Sequence, residues 1–278
     1  MKTRVSLFIF CIQMVAVCGF AADKRIDGNG NPETREIKIS DYDEITFISD
    51  YDEITFVGSA DFEYEQSDKA PYLSVTIDEN LFDYLVTEVE GGTLKIYPKS
   101  IKKGFNNNSY DLRPTVYKIK SNSKELKELN TVGSGSFIIS KPTKVNRMEI
   151  NMAGSGNVEL RGPVKGYKLE CNMAGSGNII AKDIQLDNLS CSLASSGEIE
   201  VIGTVDRASF NVAGSGEIKA FDCQARKAEC NIASSGEISV YATQILDANI
   251  VGSGEIHYKG DPEISKSIMG SGSINKVK

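Results

Sequence analysis

Ala153-Gly154-Ser155-Gly156, Ala174-Gly175-Ser176-Gly177 and Ala194-Ser195-Ser196-Gly197 are three copies of one four-residue turn. Five more copies close on Ser-Gly: Val132-Gly133-Ser134-Gly135, Ala213-Gly214-Ser215-Gly216, Ala233-Ser234-Ser235-Gly236, Val251-Gly252-Ser253-Gly254 and Met269-Gly270-Ser271-Gly272. Successive closing glycines stand 21, 21, 20, 19, 20, 18 and 18 residues apart. A repeat near twenty residues marks a solenoid, in which each unit buries its apolar face only against its neighbours.

Counting back from each closing glycine gives the inward positions. Eight residues before it stand Met148, Leu169, Leu189, Ala208, Ala228, Leu246 and Ile264. Six before are Ile150, Cys171, Cys191, Phe210, Cys230, Ala248 and Lys266, and four before are Met152, Met173, Leu193, Val212, Ile232, Ile250 and Ile268. Alternation of this kind is a strand with one buried face. Two residues after the glycine, Phe137, Val158, Ile179, Ile199, Ile218, Ile238, Ile256 and Ile274 open a second inward-facing strand. A variable corner, such as residues 182–188, absorbs the drift in repeat length. The fold expected is all-β, a right-handed parallel β-helix with coils of 18–21 residues. A left-handed hexapeptide helix is disfavoured, because it needs a strict six-residue rhythm. Lys266 in an inward slot of the last repeat reads as a terminal cap against edge pairing.

The remaining chain is less regular. Residues 1–21 read as a secretion signal: Lys2 and Arg4 precede an apolar run from Val5 to Val17 that is too short to span a bilayer. Gly19-Phe20-Ala21 favours cleavage after Ala21; the alternative is a lipoprotein signal anchored at Cys18, where Val17 departs from the usual small residue. Losing Lys2 and Arg4 takes the formal charge from −7 to −9. Residues 22–40 form a polar segment with a turn-like Asp27-Gly28-Asn29-Gly30-Asn31. Residues 41–278 read as one β-solenoid domain, irregular over 41–114 and regular over 115–278. Asp41-Tyr42-Asp43-Glu44-Ile45-Thr46-Phe47 recurs as Asp50-Tyr51-Asp52-Glu53-Ile54-Thr55-Phe56. The second copy leads into Gly58-Ser59-Ala60, a degenerate form of the turn, so 50–66 is expected to form a coil. Residues 72–98 alternate as strands around a Gly91-Gly92 turn, 106–109 read as a polar loop, and 124–129 as a short helical turn.

These motifs resemble a bacterial family, the putative auto-transporter adhesin, head GIN domain. The resemblance rests on Arg25 to Asn31, Tyr51 to Gly58, Asp78-Glu79-Asn80-Leu81, Gly91 to Ile96 and the Gly-Ser-Gly-Asn coils, and it spans residues 25–276. It implies a β-helical exported protein of the kind common among Bacteroidetes, adhesin-like, with no assigned enzymatic activity and no catalytic residues to carry across. The nine-residue duplication departs from the family pattern.

Candidate chemistry is limited. Four cysteines remain after the signal, and in an exported chain they are compatible with two disulfides. Three of them, Cys171, Cys191 and Cys230, occupy an inward slot, which argues for a stack of buried thiols. No paired CxxC motifs point to zinc. The serine ladder lacks an adjacent base, since the one histidine, His257, has no evident partner in the sequence. Two outward ladders are better candidates for a ligand. One is Asn130, Asn151, Asn172, Ser192, Asn211, Asn231, Asn249 and Ser267; the other is the row Glu198, Glu217, Glu237 and Glu255. The glutamates either splay into solvent or share a cation such as calcium. The chain shows no basic run or basic-aromatic patch, so nucleic acid is not an expected partner. The functional expectation is therefore an exported, non-enzymatic envelope or adhesin-like module, located in the periplasm, on the outer membrane surface or outside the cell. It would present polar ladders to a glycan or a cell-surface protein, with no catalytic residue, cofactor or metal assigned. The alternative is a polysaccharide lyase or glycosidase built on the same fold.

Overall fold

The computed structural model describes residues 22–37, 51–103 and 106–277. The expected signal, Cys18 and the first copy of the duplication lie outside the described residues. The described residues are 76% strand and 3% helix, and the repeats form a parallel β-solenoid of about seven turns, as the spacing predicts. The described residues divide into two compact units, one drawn from residues 22–126 and 130–136, the other from 127–129 and 137–277.

The first unit holds β1 (Ala22–Asp27), β2 (Pro32–Glu36), β3 (Glu53–Gly58), β4 (Asp61–Gln66) and β5 (Tyr72–Asp78). A 3-10 helix (Glu79–Tyr84) follows, then β6 (Leu85–Glu90), β7 (Thr93–Pro98), β8 (Ser100–Lys103), β9 (Asn106–Arg113) and β10 (Tyr117–Ser123). The second copy of the duplication supplies β3, whose Glu53 to Phe56 pair in parallel with Thr93 to Ile96 of β7. Ile54, Phe56, Phe62, Tyr64, Leu94 and Ile96 are buried at 2% exposure or less. The degenerate turn does form a coil: Ser134 N–H donates to Gly58 O at 3.2 Å and Ser136 N–H to Ala60 O at 3.0 Å. Gly91 and Gly92 make the β6–β7 turn with φ of +60° and +85°.

Three local expectations fail in this unit. Residues 106–109 belong to β9, which pairs with β1 and β8, because a neighbouring strand offers partners to its backbone. Residues 124–129 form no helical turn: 124–127 are irregular and Glu128 and Leu129 begin a strand. The helical turn lies instead at Glu79–Tyr84, inside the stretch read as strand throughout. There the buried Asp78 ends β5. Its carboxylate accepts hydrogen bonds from Gly30 N–H (2.8 Å), Thr115 N–H (2.7 Å) and the Thr115 hydroxyl (2.8 Å). Burial opposes ionisation of Asp78, but these donors outweigh it and hold the carboxyl below its usual range.

After β11 (Glu128–Gly133) and β12 (Ser136–Ile139) come β13 (Thr143–Gly154), β14 (Asn157–Leu160), β15 (Val164–Gly175), β16 (Asn178–Ser195), β17 (Glu198–Gly214), β18 (Glu217–Ser234), β19 (Glu237–Gly252), β20 (Glu255–Lys259), β21 (Glu263–Gly270) and β22 (Ser273–Lys276). Equivalent residues of successive coils pair in parallel, so Ile150, Cys171, Cys191, Phe210, Cys230, Ala248 and Lys266 form one column. The small thiols Cys191 and Cys230 flank Phe210, and Ala208 lies two residues before it, so large and small side chains share the column's volume. All four described cysteines are free and buried. The variable corner is absorbed by register shifts, as between Ala181 and Ile184 or between Ala220 and Gln224, while the strands run on for 16 to 18 residues.

The last coil ends the column. Lys266 occupies its inward slot and donates from Nζ to Ile274 O at 3.3 Å, with the Tyr258 ring 5.3 Å away. The column is uncovered there, since Ile268 is 42% exposed beside Met269 at 64% and Val251 at 44%.

Candidate functional site

The repeated turn divides its work between two glycines. The first carries positive φ, from +126° at Gly154 to +145° at Gly175. Serine takes this position twice, at Ser195 (φ +117°) and Ser234 (φ +118°). The closing glycine is needed for proximity instead: a Cβ on Gly177 would collide with the carbonyl oxygen of Gly156, and one on Gly254 with that of Gly236. The turn serine's own N–H donates to the preceding coil, as Ser176 to Gly154 O (3.0 Å) and Ser253 to Ser234 O (2.9 Å). This is the hydrogen-bonding of a stacked backbone, and it accounts for the turn without any chemistry at the hydroxyl.

Outward-facing residues carry the polar chemistry. The asparagine ladder forms stacked amide hydrogen bonds in one direction. Nδ2 of Asn172 donates to Asn151 Oδ1 (3.0 Å), Asn231 to Asn211 (3.1 Å) and Asn249 to Asn231 (3.1 Å). Ser192 interrupts the series between Asn172 and Asn211. A shorter ladder starts the second strand, where Asn178 Nδ2 donates to Asn157 Oδ1 at 2.8 Å.

That second row continues as Glu198, Glu217, Glu237 and Glu255, in register from coil to coil. Nitrogen-bearing side chains of the chain itself, Lys219 and His257, sit two residues further along. Lys219 Nζ lies 2.6 Å from Glu198 and 3.5 Å from Glu217. His257 Nε2 lies 3.1 Å from Glu255 and 3.6 Å from Glu237. His257 therefore does have partners, contrary to the sequence reading, because they come from its own strand and from the strand one coil away. The hydrogen bond to Glu198 raises the Lys219 pKa against the opposing effect of burial, with the charge of Glu217 adding to the rise. Lys219 thus bridges Glu198 and Glu217 with a positive charge, and the His257 ring nitrogen lies between Glu237 and Glu255, so the row meets the chain's own side chains. Among the described residues, no group of three or more His, Cys, Asp or Glu has a metal-holding arrangement.

The first unit has a recess of ≈ 440 Å³ lined by Tyr51, Asp52, Gln66, Gly92, Lys124 and Glu125. Sequence reasoning missed it, since its walls come from four separate stretches. Much of its polar lining is already engaged: Tyr51 donates to Asn122 O (3.0 Å) and Gln66 to Lys124 O (3.0 Å).

A packed column, stacked turns and repeated outward polar rows define a β-solenoid whose chemistry lies on its outer faces. The chain belongs to the family described as putative auto-transporter adhesin, head GIN domain, whose model matches residues 50–162 and again 150–262. Crystal structures similar to it include three from Parabacteroides. A putative lipid binding protein from Parabacteroides distasonis is 96% identical, with TM-score 0.87 over 92% of this chain and 100% of that one. A putative adhesin from Parabacteroides merdae is 31% identical, with TM-score 0.82 over 92% and 100%. A putative adhesin from Parabacteroides distasonis is 29% identical, with TM-score 0.81 over 91% and 100%. No curated protein matches the chain.

Proposed function

We propose that this protein is an exported, non-enzymatic binding module that engages molecules at the cell surface through its outer faces. The observation that carries this reading is the division between inside and outside. The inward column from Met148 to Ile250 is buried throughout, while Asn, Glu, Lys and Arg repeat in register outside. Membership of an adhesin-type family supports the same reading and favours export. The polysaccharide-degrading alternative is weaker, because the carboxylate row is tied to Lys219 and His257 rather than left facing an open groove.

A lipid-binding reading has one observation in its favour besides the name of the 96% identical relative. With the column packed, an acyl chain would have to meet the surface, and Val251, Ile268 and Met269 offer exposed apolar area on the last two coils. The test is a glycan array on the purified protein, run beside a screen for release of unsaturated or reducing sugars. Binding without sugar release supports the proposal, and sugar release would overturn it.

A further inference from the structure

The last coil of the solenoid differs in chemistry from those before it, and strand register shows where. The glutamate row Glu198, Glu217, Glu237 and Glu255 ends opposite Ser273. The outward acids Glu229 and Asp247 give way to Ser265, and Asn231 and Asn249 give way to Ser267. Residues 264–278 hold Lys266, Lys276 and Lys278 and no Asp or Glu, in a chain whose formal charge is −7. Lys276 pairs with Asp261, which precedes β21, and Lys266 donates to a neutral partner, the Ile274 carbonyl.

Apolar surface grows where the acids stop. The position that opens the repeated turn is alanine in five successive coils, from Ala153 to Ala233, then Val251 and finally Met269. Val251 and Met269 are direct strand partners, exposed by 44% and 64%. Ile268, next to Met269 in the uncovered inward slot, adds 42%. A cap that met only water would gain nothing from replacing alanine with larger apolar side chains at its rim. A contiguous exposed apolar patch with a polar surround marks an interaction surface.

We propose that this coil, through Val251, Ile268 and Met269 with Lys266 and Lys276, docks on the surface of an anionic lipid bilayer. The inference rests on the reading of the protein as a cell-surface binding module and names one partner. Apolar side chains at the acyl boundary and lysines among the headgroups are the two contributions that hold a peripheral protein at such a surface. Elsewhere on the solenoid the acidic rows would meet anionic headgroups with repulsion; serine at the same positions removes it here. Backbone sets the depth of contact. β21 has β19 on one side, and the N–H and C=O groups of its other edge need partners that hydrated headgroups offer and hydrocarbon does not. A second copy stacked end to end fits less well, because it would bury Lys266 against a coil that supplies no Asp or Glu.

Vesicle co-sedimentation tests it, using the chain without residues 1–21, which holds every described residue. Binding to phosphatidylglycerol vesicles is expected, weakened by salt and roughly tenfold tighter than binding to phosphatidylcholine vesicles. Val251→Ala with Met269→Ala restores the residue of the five earlier coils, a change the fold already tolerates, and should weaken binding roughly fivefold. Lys276→Gln should weaken binding to phosphatidylglycerol alone. Tyr167→Ala, which removes a 52% exposed ring from an earlier coil, should change nothing. No sedimentation, equal binding to the two vesicle types, or binding left intact by the double alanine variant would overturn the docking surface. So would a wild-type dimer in analytical ultracentrifugation that the double variant loses, since the patch would then belong to a second copy. If vesicles fail while the glycan array shows binding, only this surface falls and the broader reading stands.

Discussion

Cys171 and Cys191 are direct partners on neighbouring parallel strands, both fully buried and both free thiols. The hydrogen bond with Cys171, followed by burial, pushes the Cys191 pKa well above its usual value. Burial alone pushes Cys223 up to about 12, and burial, followed by the charge of Glu229, raises Cys230 as well. Thiolates react and thiols do not. A chain lacking residues 1–21 should therefore resist a disulfide-exchange reagent at pH 8 and release its four thiols, Cys171, Cys191, Cys223 and Cys230, once unfolded in guanidinium. Rapid reaction of the folded protein would show that the column opens to solvent.

Phe210 fills the space that Cys191 and Cys230 leave on either side. Phe210→Ala removes the largest side chain of that slot between two small neighbours that cannot close the void. A loss of about 3–5 kcal/mol in a denaturant titration is expected. Phe210→Leu should cost much less.

Ser195 and Ser234 hold a backbone conformation that the other coils assign to glycine. A non-glycine residue there costs on the order of 1–3 kcal/mol, partly offset by the extra freedom glycine has when unfolded. Ser234→Gly should raise the melting temperature. Gly177→Ala, at the closing position, should lower it because the added Cβ meets Gly156 O.

Asp78 is a buried carboxylate with three donors and a pKa held below the ordinary range. Its contribution to stability is fully present above the unfolded pKa of about 3.9 and is lost as pH falls through the lower folded value. Asp78→Ala, which strands the Gly30 and Thr115 donors, should cost on the order of 2–4 kcal/mol at neutral pH. The difference from wild type should shrink in strong acid. A gap of constant size from pH 7 to pH 2 would show that ionisation plays no part.

Lys219 bridges Glu198 and Glu217 on a partly exposed face, so Lys219→Gln should cost less than about 1 kcal/mol. Wild-type melting should be indifferent to calcium or chelator, while the variant, with two opposed carboxylates unmatched, should gain stability from added calcium. A chelator-induced fall in the wild-type melting temperature would restore calcium to the account.

What the sequence made legible was whatever repeats. A period counted from Gly156 or Gly177 places Cys171, Met173 and Ile179 correctly, because stacked coils impose one inward alternation on every copy. Where the chain does not repeat, local propensity misleads. Residues 106–109 look like a loop by composition, yet β1 and β8 supply strand partners. The 3-10 turn at Glu79–Tyr84 follows the buried Asp78, a tertiary cause invisible to periodicity. The partners of Lys219 and His257, and the end of the glutamate row at Ser273, depend on which residues of successive coils align. Register shifts at the corners, as between Ala181 and Ile184 or between Ala220 and Gln224, set that alignment.

The central claim is that the outer faces of this solenoid work at the cell surface. Its most direct test is amine labelling of intact producing cells with a membrane-impermeant reagent, followed by mass spectrometry of the labelled lysines. Exposed lysines such as Lys165 and Lys182 should be labelled before lysis. Labelling that appears only after the cells are broken would contradict it.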